Sequence, residues 1–316
     1  MNSRLSVSSS PHIRSAARTD RIMLDVIIAL VPSLIAGCVL FGMRSLLVVA
    51  SCVITSVLAE FVFNLIVKKE QTVRDLSAAL TGMILGLNLH ANAPIWQCVI
   101  GSVFAIVVVK CLFGGIGCNF ANPAATGRVF LLVCFAGTLS GGAVPKFSSA
   151  PELVSGATPL ELLANHGEMP SFFDMFLGMR PGAIGETCTA AIIIGFIYLV
   201  IRRVIHFETP VIFVGTVFVL SLIFEIDPTF SVYQVLSGGL VFGAVFMATD
   251  YVTSPLTTLG KSVFALGCGV LTVLIRLFGS YPDGVSFAIL IMNILSPYIE
   301  KLTLKKPLGG VKNDKK

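Results

Sequence analysis

The chain has 316 residues, of which 55% are hydrophobic and 12% charged, and its mean hydropathy is +0.91. Soluble domains carry about 25% charged residues, so this composition excludes a water-soluble enzyme. At roughly 20 apolar residues per crossing, the length admits ten membrane-spanning helices. The net charge of +5 does not indicate nucleic acid as a partner, because the 22 Lys and Arg residues are scattered between apolar runs or gathered at the two ends.

Ten apolar runs follow one another along the chain and predict ten membrane-spanning helices. Residues 1–21 are predicted to form a cytoplasmic tail, 22–140 a first group of five helices, 187–300 a second group of five, and 301–316 a basic cytoplasmic tail. The runs at 75–89 and 233–249 are short or interrupted by glycine, so we expect tilted or broken helices there. The predicted helices are 22–41, 45–67, 75–89, 95–113, 127–140, 187–201, 210–226, 233–249, 260–278 and 284–300.

The two groups of helices share a weak sequence repeat. Ser77–Leu80 recurs as Ser237–Leu240, and Leu112–Gly114 recurs as Leu277–Gly279. Because each copy holds an odd number of spans, the second copy must cross the membrane in the opposite sense to the first. The predicted fold class is therefore an all-α polytopic membrane protein with an inverted 5+5 repeat. Chance similarity between apolar helices is the alternative explanation of these matches.

The distribution of basic residues predicts the orientation of the chain. With the N-terminus in the cytoplasm, 18 of the 22 Lys and Arg residues, Arg128 among them, fall on the cytoplasmic side. Only Arg44, Lys146, Arg180 and Arg276 fall on the other side. Both termini are thus predicted to be cytoplasmic, and the one long loop, 141–186, to lie outside the cytoplasm.

The eight cysteines lie in or beside apolar runs, and no CxxC or Cys/His cluster occurs. We expect them to be buried as small apolar residues, and we predict no metal site within the chain. The alternative is that Cys111 and Cys118 contribute two thiolates to a metal site shared with another subunit.

The long loop contains a helix start at Thr158. Thr158 is predicted to be the N-cap, Pro159 the first helical residue, and Glu161 the partner in a capping box. This local structure accounts for every residue type in the segment. A hydroxyl at a helix start is also where a phosphate is well received, because free N–H groups and the helix dipole favour negative charge. The two interpretations are compatible.

At this motif the sequence resembles a known family. Ser155–Thr158 followed by Pro159 and Leu160 is similar to the flavinylation motif of the family that includes the D-type subunit of the Rnf complex, an ion-translocating ferredoxin:NAD oxidoreductase, and the B-type subunit of the sodium-translocating NADH:quinone reductase. The segments Asp20–Val26, Asn119–Ala124 and Tyr281–Phe287 fit as well, so the resemblance covers essentially the whole chain. The length favours the Rnf branch, because the quinone reductase subunit is longer at its N-terminus.

The resemblance implies a cofactor and a place in a larger complex. In that family the motif threonine, here Thr158, carries FMN through a phosphoester bond, and a flavin transferase working outside the cytoplasm attaches it. A second, non-covalent riboflavin is also implied. Electrons would pass from ferredoxin to NAD through several subunits in a prokaryotic cell membrane, coupled to export of sodium ions or protons, with no NAD site in this chain. The remaining motif residues are Ser155, Gly156, Ala157, Pro159 and Leu160.

Charged residues at membrane depth are candidates for an ion path. Glu60 lies well inside the second predicted span and is the leading candidate, with Asp25 as a second. For Asp25, Lys110, Glu225 and Asp250 the simpler explanation is a position near a helix end, where the charged group reaches water. Arg276 could contact a flavin phosphate or an acidic partner. His90, His166 and His206 are expected to be solvated.

Two other functions compete with the redox interpretation. The Asn122-Pro123-Ala124 triplet occurs in water and glycerol channels, but those resemble a six-helix design with two triplets, whereas this chain has one. The simpler prediction is that Asn122 caps a helix that starts nearby. A secondary transporter or channel with inverted repeats and no redox cofactor is the other alternative.

Overall fold

The computed structural model describes residues 18–139, 141–147, 155–165, 167, 169–279 and 283–304. The chain folds into helices joined by short connections, with one two-stranded ribbon of β1 (Gly142–Ala143) and β2 (Ser155–Gly156). The helices are α1 (Thr19–Phe41), α2 (Met43–Val67), α3 (Ser77–Leu87), α4 (Ile95–Val103, continued by a π-helical segment Phe104–Cys111), α5 (Pro123–Cys134), α6 (Ala136–Leu139), α7 (Pro159–Ala164), α8 (Phe172–Leu177), α9 (Thr189–Ile201), α10 (Glu208–Glu225), α11 (Pro228–Leu236), α12 (Leu240–Phe242, continued by a π-helical segment Gly243–Met247), α13 (Thr258–Phe278) and α14 (Val285–Thr303).

All ten predicted apolar segments are helical, so the prediction of an all-α polytopic membrane protein is confirmed. In the described part of the chain, five helices are long and apolar enough to cross a membrane: α1, α2, α10, α13 and α14. The bent pair α11 and α12 would be a sixth span, and the remaining apolar helices have 10–17 residues. Large apolar side chains such as Ile35 and Ile66 are exposed along these helices, as lipid contact requires.

Helix α3 is too short to cross a bilayer. Its 11 residues rise about 16 Å, roughly half of a hydrocarbon core. It packs against α2 through Gly82 and Gly86, where a Cβ atom would meet Cys52 O at 2.7 Å and Val49 Cα at 2.8 Å respectively. These two glycines allow the backbones to approach closely, which is how helices associate in membranes.

The second short element is a broken helix, as the glycines in 233–249 predicted. Helices α11 and α12 are bent by 61°. Gly238 sits at the break with φ +62°, a conformation that glycine adopts without strain. The helix begins earlier than predicted, at Pro228, because the Asp227 side chain accepts a hydrogen bond from Thr229 N at 2.9 Å and caps it.

Helix α5 also begins earlier than the predicted 127. Asn122 Oδ1 accepts hydrogen bonds from Ala124 N at 3.0 Å and Ala125 N at 3.2 Å, and Pro123 takes the first helical position. The predicted cap at Asn122 is therefore confirmed, and it places the helix start four residues before the apolar run. Asn122 Nδ2 also donates to Met247 O at 3.2 Å, so the start of α5 is tied to the end of the broken helix.

The long loop folds back over the helix bundle. Gly142 pairs with Gly156 and Ala143 with Ser155 in the ribbon, and Ala143 also forms a bridge with Gly182. The loop is tied to the bundle where Lys146 N donates to Leu40 O at 2.8 Å, near the turn between α1 and α2. This arrangement holds the helix start at Thr158, two residues after β2, over the bundle.

The two predicted groups of helices pack in similar ways. Helix α2 packs against α3 and α4 in the first group, and α10 packs against α11 and α13 in the second. The groups meet where α1 contacts α9 and where α5 contacts α14. The inverted repeat stays a prediction with which these contacts agree. The predicted tails fall largely outside the described residues.

The close approach of α3 to α2 gives a first testable prediction. Gly82→Ala places a methyl group where Cys52 O, Val53 Cα and Ser56 Oγ lie within 2.8 Å, so we expect a loss of about 1–3 kcal/mol in stability. Gly215→Ala is the matched control, because a Cβ there has nothing within 4 Å and should stabilise α10 by about 0.4–1 kcal/mol. The measurement is the unfolding midpoint in detergent. Equal midpoints for the two variants would contradict the packing.

Candidate functional site

Thr158 caps helix α7 as the sequence predicts. Thr158 N donates to Glu161 Oε2 at 2.8 Å, and Glu161 N donates to Thr158 Oγ1 at 3.4 Å. Pro159 takes the first helical position, and Leu160 and Leu163 anchor the helix in the protein. The predicted capping box is confirmed. The helix has only six residues, and the bond to Thr158 Oγ1 is long, so the hydroxyl is weakly engaged.

A cavity of about 430 Å³ lies beside Thr158, which is half-buried at its rim. We call it the Thr158 cavity. One wall is formed by α5 and α6, through side chains that include Leu132, and the opposite wall by residues 182–186. Leu160 and Glu161 complete the rim. The only part of the predicted motif that borders this cavity is Thr158 with Leu160, since Ala157 is exposed and Pro159 is buried against the protein.

Charged side chains converge on the Thr158 cavity from three separate parts of the chain. They are Arg128 on α5, Glu186 before α9, and Asp283 before α14. Arg128 Nη2 lies 4.0 Å from Asp283 Oδ2, the limit of an ion pair, and Ala183 N donates to Glu186 Oε1 at 3.1 Å. The cavity therefore combines apolar walls with a cation and two acidic groups, the arrangement typical of cofactor sites.

Burial perturbs the acidic and basic groups around this cavity. Burial raises the pKa of Glu186, the Asp283 carboxylate raises it further, and Arg128 partly offsets both effects. Burial and the charge on Arg128 lower the pKa of His90. Burial also lowers the pKa of Arg180 to about 10, which leaves that guanidinium charged at neutral pH. Glu186 thus holds a proton at a higher pH than an exposed glutamate.

Three expectations about basic residues and histidines were wrong. Arg128 was counted with the cytoplasmic side, but it shares a cavity with Thr158 on the predicted outer loop. His90 is buried, with Nε2 3.1 Å from Thr138 O, whereas exposed His206 is solvated as expected. Arg276 donates to Gln234 O at 2.6 Å and Ser237 O at 3.2 Å, so it holds the helix break and does not border the Thr158 cavity. His166 lies outside the described residues.

Glu60 forms a buried ion pair. Lys110 Nζ donates to Glu60 Oε1 at 2.8 Å and to Ser77 Oγ at 2.7 Å, and Thr72 Oγ1 donates to the same carboxylate oxygen at 2.7 Å. Both charged side chains are 2% exposed. Glu60 therefore faces protein and not lipid, as predicted, while the explanation of Lys110 as a lysine reaching water is wrong. Glu60 Oε2 is buried with no hydrogen-bond partner among the described residues.

Asp25 belongs to a different cluster from Glu60. Tyr198 OH donates to Asp25 Oδ1 at 3.0 Å, and Arg202 Nη2 donates to Oδ2 at 3.1 Å. Glu225 is exposed at the end of α10, as expected. Asp250 accepts from Thr253 Oγ1 at 3.1 Å in the connection between α12 and α13. The structure thus does not bring Asp25 and Glu60 together.

A second cavity, of about 90 Å³, lies at the other end of α5, and we call it the Asn122 cavity. Its walls include the short helix α3, Lys110 and Asp250. Asn119 Oδ1 is buried there without a hydrogen-bond partner among the described residues. The cavity is much narrower than the one beside Thr158. The non-covalent riboflavin therefore stays a prediction.

The cysteines are less uniform than expected. Cys118 and Cys134 are exposed, and Cys38 and Cys188 are half-buried, so the expectation of burial holds only for the other four. Cys118 lies in a connection whose Gly114, Gly115 and Gly117 have positive φ. Cys111, by contrast, is buried at the end of the π-helical segment of α4.

Sequence reasoning missed Glu186 and Asp283 as site residues and misplaced Arg128. Arg128 carried a signal, because a charge in the middle of an apolar helix indicates a functional or paired group. Asp283 lies in one of the segments that carried the family resemblance. Glu186 had no local signal, since it is one of several acidic residues in the long loop.

Comparison with known proteins identifies the family. Residues 6–309 match the family model described as NQR2, RnfD, RnfE family. The chain is 45% identical, over 98% of its length and 96% of the relative, to the D-type subunit of the Na(+)-translocating ferredoxin:NAD(+) oxidoreductase complex of Acetobacterium woodii. It is 40% identical, over 96% of each chain, to the D-type subunit of the proton-translocating ferredoxin:NAD(+) oxidoreductase complex of Clostridium ljungdahlii. The chain therefore belongs to the NQR2, RnfD, RnfE family.

Proposed function

We propose that this chain is a membrane subunit of an ion-translocating ferredoxin:NAD oxidoreductase complex and that it carries electrons on an FMN attached to Thr158. The names of its relatives support the complex and the reaction. The observation that carries the flavin assignment is the Thr158 cavity. Thr158 lies at its rim, and Arg128 inside it has two N–H groups without partners among the described residues.

The residues around the Thr158 cavity fit a tethered flavin. When bound, FMN supplies the electron-transfer chemistry, and the protein supplies position and electrostatics. Thr158 Oγ1 would hold the phosphate, and its weak bond to Glu161 N leaves it available for esterification. Leu132 and Leu160 would contact the apolar part of the ring. Arg128, Glu186 and Asp283 would set the charge around it.

The proposal includes the partners and the orientation of the chain. A flavin transferase must reach Thr158, so residues 141–186 would lie outside the cytoplasm and both termini inside. The tie between Lys146 N and Leu40 O places this loop beside the turn between α1 and α2. Lys68, Lys69 and Arg74 follow at the other end of α2, where basic residues favour the cytoplasm. Removing Arg128 from the cytoplasmic count does not change its direction.

Attachment of FMN gives a direct prediction. We expect Thr158→Ala to abolish flavin fluorescence on the denatured protein band, because the hydroxyl that forms the ester is gone. Thr158→Ser keeps a hydroxyl and should retain part of the label. Mass spectrometry of the peptide around Thr158 from the parent protein should show the mass of FMN less one water.

Ser171→Ala is the matched control for attachment. Ser171 caps α8 in the same loop, with its Oγ 3.2 Å from Asp174 N, but does not border the cavity. Either lost cap costs about 0.5–2 kcal/mol, so only the attachment chemistry separates the two variants. An unmodified Thr158 peptide from protein made together with its transferase would exclude the flavin assignment. It would leave a secondary transporter as the better account.

Orientation can be tested with single cysteines in a cysteine-depleted chain. Phe147 is exposed in the loop that carries Thr158, and Glu70 is exposed after α2. We expect Phe147→Cys to react with an impermeant maleimide added to intact cells and Glu70→Cys to react only after lysis. Labelling of Glu70→Cys alone in intact cells would reverse the orientation.

The proposal extends to ion movement through Glu60. Its Oε2 atom lacks a partner among the described residues, and its partner Lys110 borders the Asn122 cavity. We expect Glu60→Gln to keep FMN but to export fewer ions per electron in vesicles, because the amide cannot bind a cation or exchange a proton. Asp25, already paired with Arg202 and Tyr198, is the second candidate.

A double variant separates transport from stability. Glu60→Gln alone leaves a buried lysine unpaired, which costs about 3–5 kcal/mol. Glu60→Gln combined with Lys110→Met removes both charges and should recover much of the lost stability without recovering export. Parental export per electron in either variant would show that the ion pair is structural.

A further inference from the structure

We propose that Arg128 contacts the pyrimidine edge of the flavin ring and thereby raises its reduction potential. This inference rests on the proposed attachment of FMN to Thr158. It assigns a positioning and tuning role to one residue of the Thr158 cavity.

The guanidinium of Arg128 is buried without enough partners. The residue is 7% exposed, and its Nε and Nη1 atoms have no hydrogen-bond partner in the described part of the chain. Nη2 reaches only Asp283 Oδ2, at 4.0 Å. A buried guanidinium left in this state is costly, because it has lost its water and gained little in exchange. The group therefore has the properties of a binding residue whose ligand enters the cavity.

The other two buried arginines near the cavity are used differently. Arg180 donates to Glu186 O at 3.0 Å and to Thr187 O at 3.4 Å. Arg276 donates to carbonyl groups of Gln234 and Ser237. Both guanidinium groups hold backbone and neither borders the Thr158 cavity. Only Arg128 combines a place in that cavity with two donors that lack partners among the described residues.

The chemistry of the flavin ring matches this group. Its pyrimidine edge carries a ring nitrogen and a carbonyl oxygen side by side, and a planar guanidinium can donate to two such acceptors at once. Reduction increases the negative charge on this edge, so a cation in contact stabilises the reduced form and raises the potential. Glu186 and Asp283 oppose the effect, which makes Arg128 the group that decides its sign.

The alternative partner for Arg128 is the phosphate of the phosphoester at Thr158. Two phosphate oxygens can also accept both arms of a guanidinium, and the phosphate would lie at the rim of the same cavity. The two partners differ in their consequence, because the phosphate does not change charge when the flavin is reduced. The reduction potential therefore distinguishes them.

The test is a redox titration of the flavin in Arg128→Gln and Arg128→Lys. We expect Arg128→Gln to lower the one-electron equilibrium constant about tenfold, a shift of about 59 mV. Arg128→Lys keeps the charge but not the two-point contact and should shift less. Arg180→Lys is the matched control and should leave the potential unchanged. An unchanged potential in Arg128→Gln would overturn the proposal and favour the phosphate.

Flavin fluorescence on the denatured band distinguishes failure of this inference from failure of the proposed function. If the parent protein carries no covalent flavin, the proposed function is wrong. If Arg128→Gln keeps its flavin at the parental potential, only the role of Arg128 is wrong.

A second measurement does not depend on the redox reaction. In protein made without the transferase, Arg128→Met removes a buried, poorly paired charge and should leave the unfolding midpoint equal or higher. In protein carrying FMN the same change removes a contact and should lower the midpoint. The same change in midpoint with and without flavin would overturn the inference.

Discussion

The fold depends on one constraint, which is that backbone polar groups inside a membrane must find partners within the protein. Helix α3 spans half a bilayer, and the α11–α12 helix is broken at Ser237–Gly239. The ends of these elements are therefore held by side chains from elsewhere. Arg276 bonds the carbonyl groups at the break, and Asn122 Nδ2 bonds Met247 O at the far end of α12. Lys110 reaches Ser77 at the start of α3.

The same constraint explains why the two cavities exist. Helices that stop inside the bundle leave space beyond their ends, and the space near each end of α5 is lined by polar groups. Near the start of α5, Lys110 is engaged by Glu60 and Ser77, and the cavity is narrow. Toward its other end, Arg128 keeps two donors without partners in the described part of the chain, and the cavity is wide. The second end is therefore the one suited to a cofactor.

The sequence predicted what is local and missed what is distant. The capping box at Thr158, the cap at Asn122 and the break near Gly238 each depend on residues within a few positions of one another, so composition and spacing are sufficient. The Lys110–Glu60 pair and the cluster of Arg128, Glu186 and Asp283 join residues that only the packed bundle brings together. Counting charges could not place Arg128, because a buried arginine follows its partners and not the membrane potential.

The central claim is that the Thr158 cavity holds a flavin attached to Thr158. A cryo-electron microscopy map of the intact complex, purified with its transferase present during expression, tests this most directly. The account predicts continuous density from Thr158 Oγ1 into the cavity, with the edge of a planar ring next to Arg128. A cavity without density, or a flavin extending from Thr158 away from Arg128 into solvent or a neighbouring protein of the complex, would contradict it.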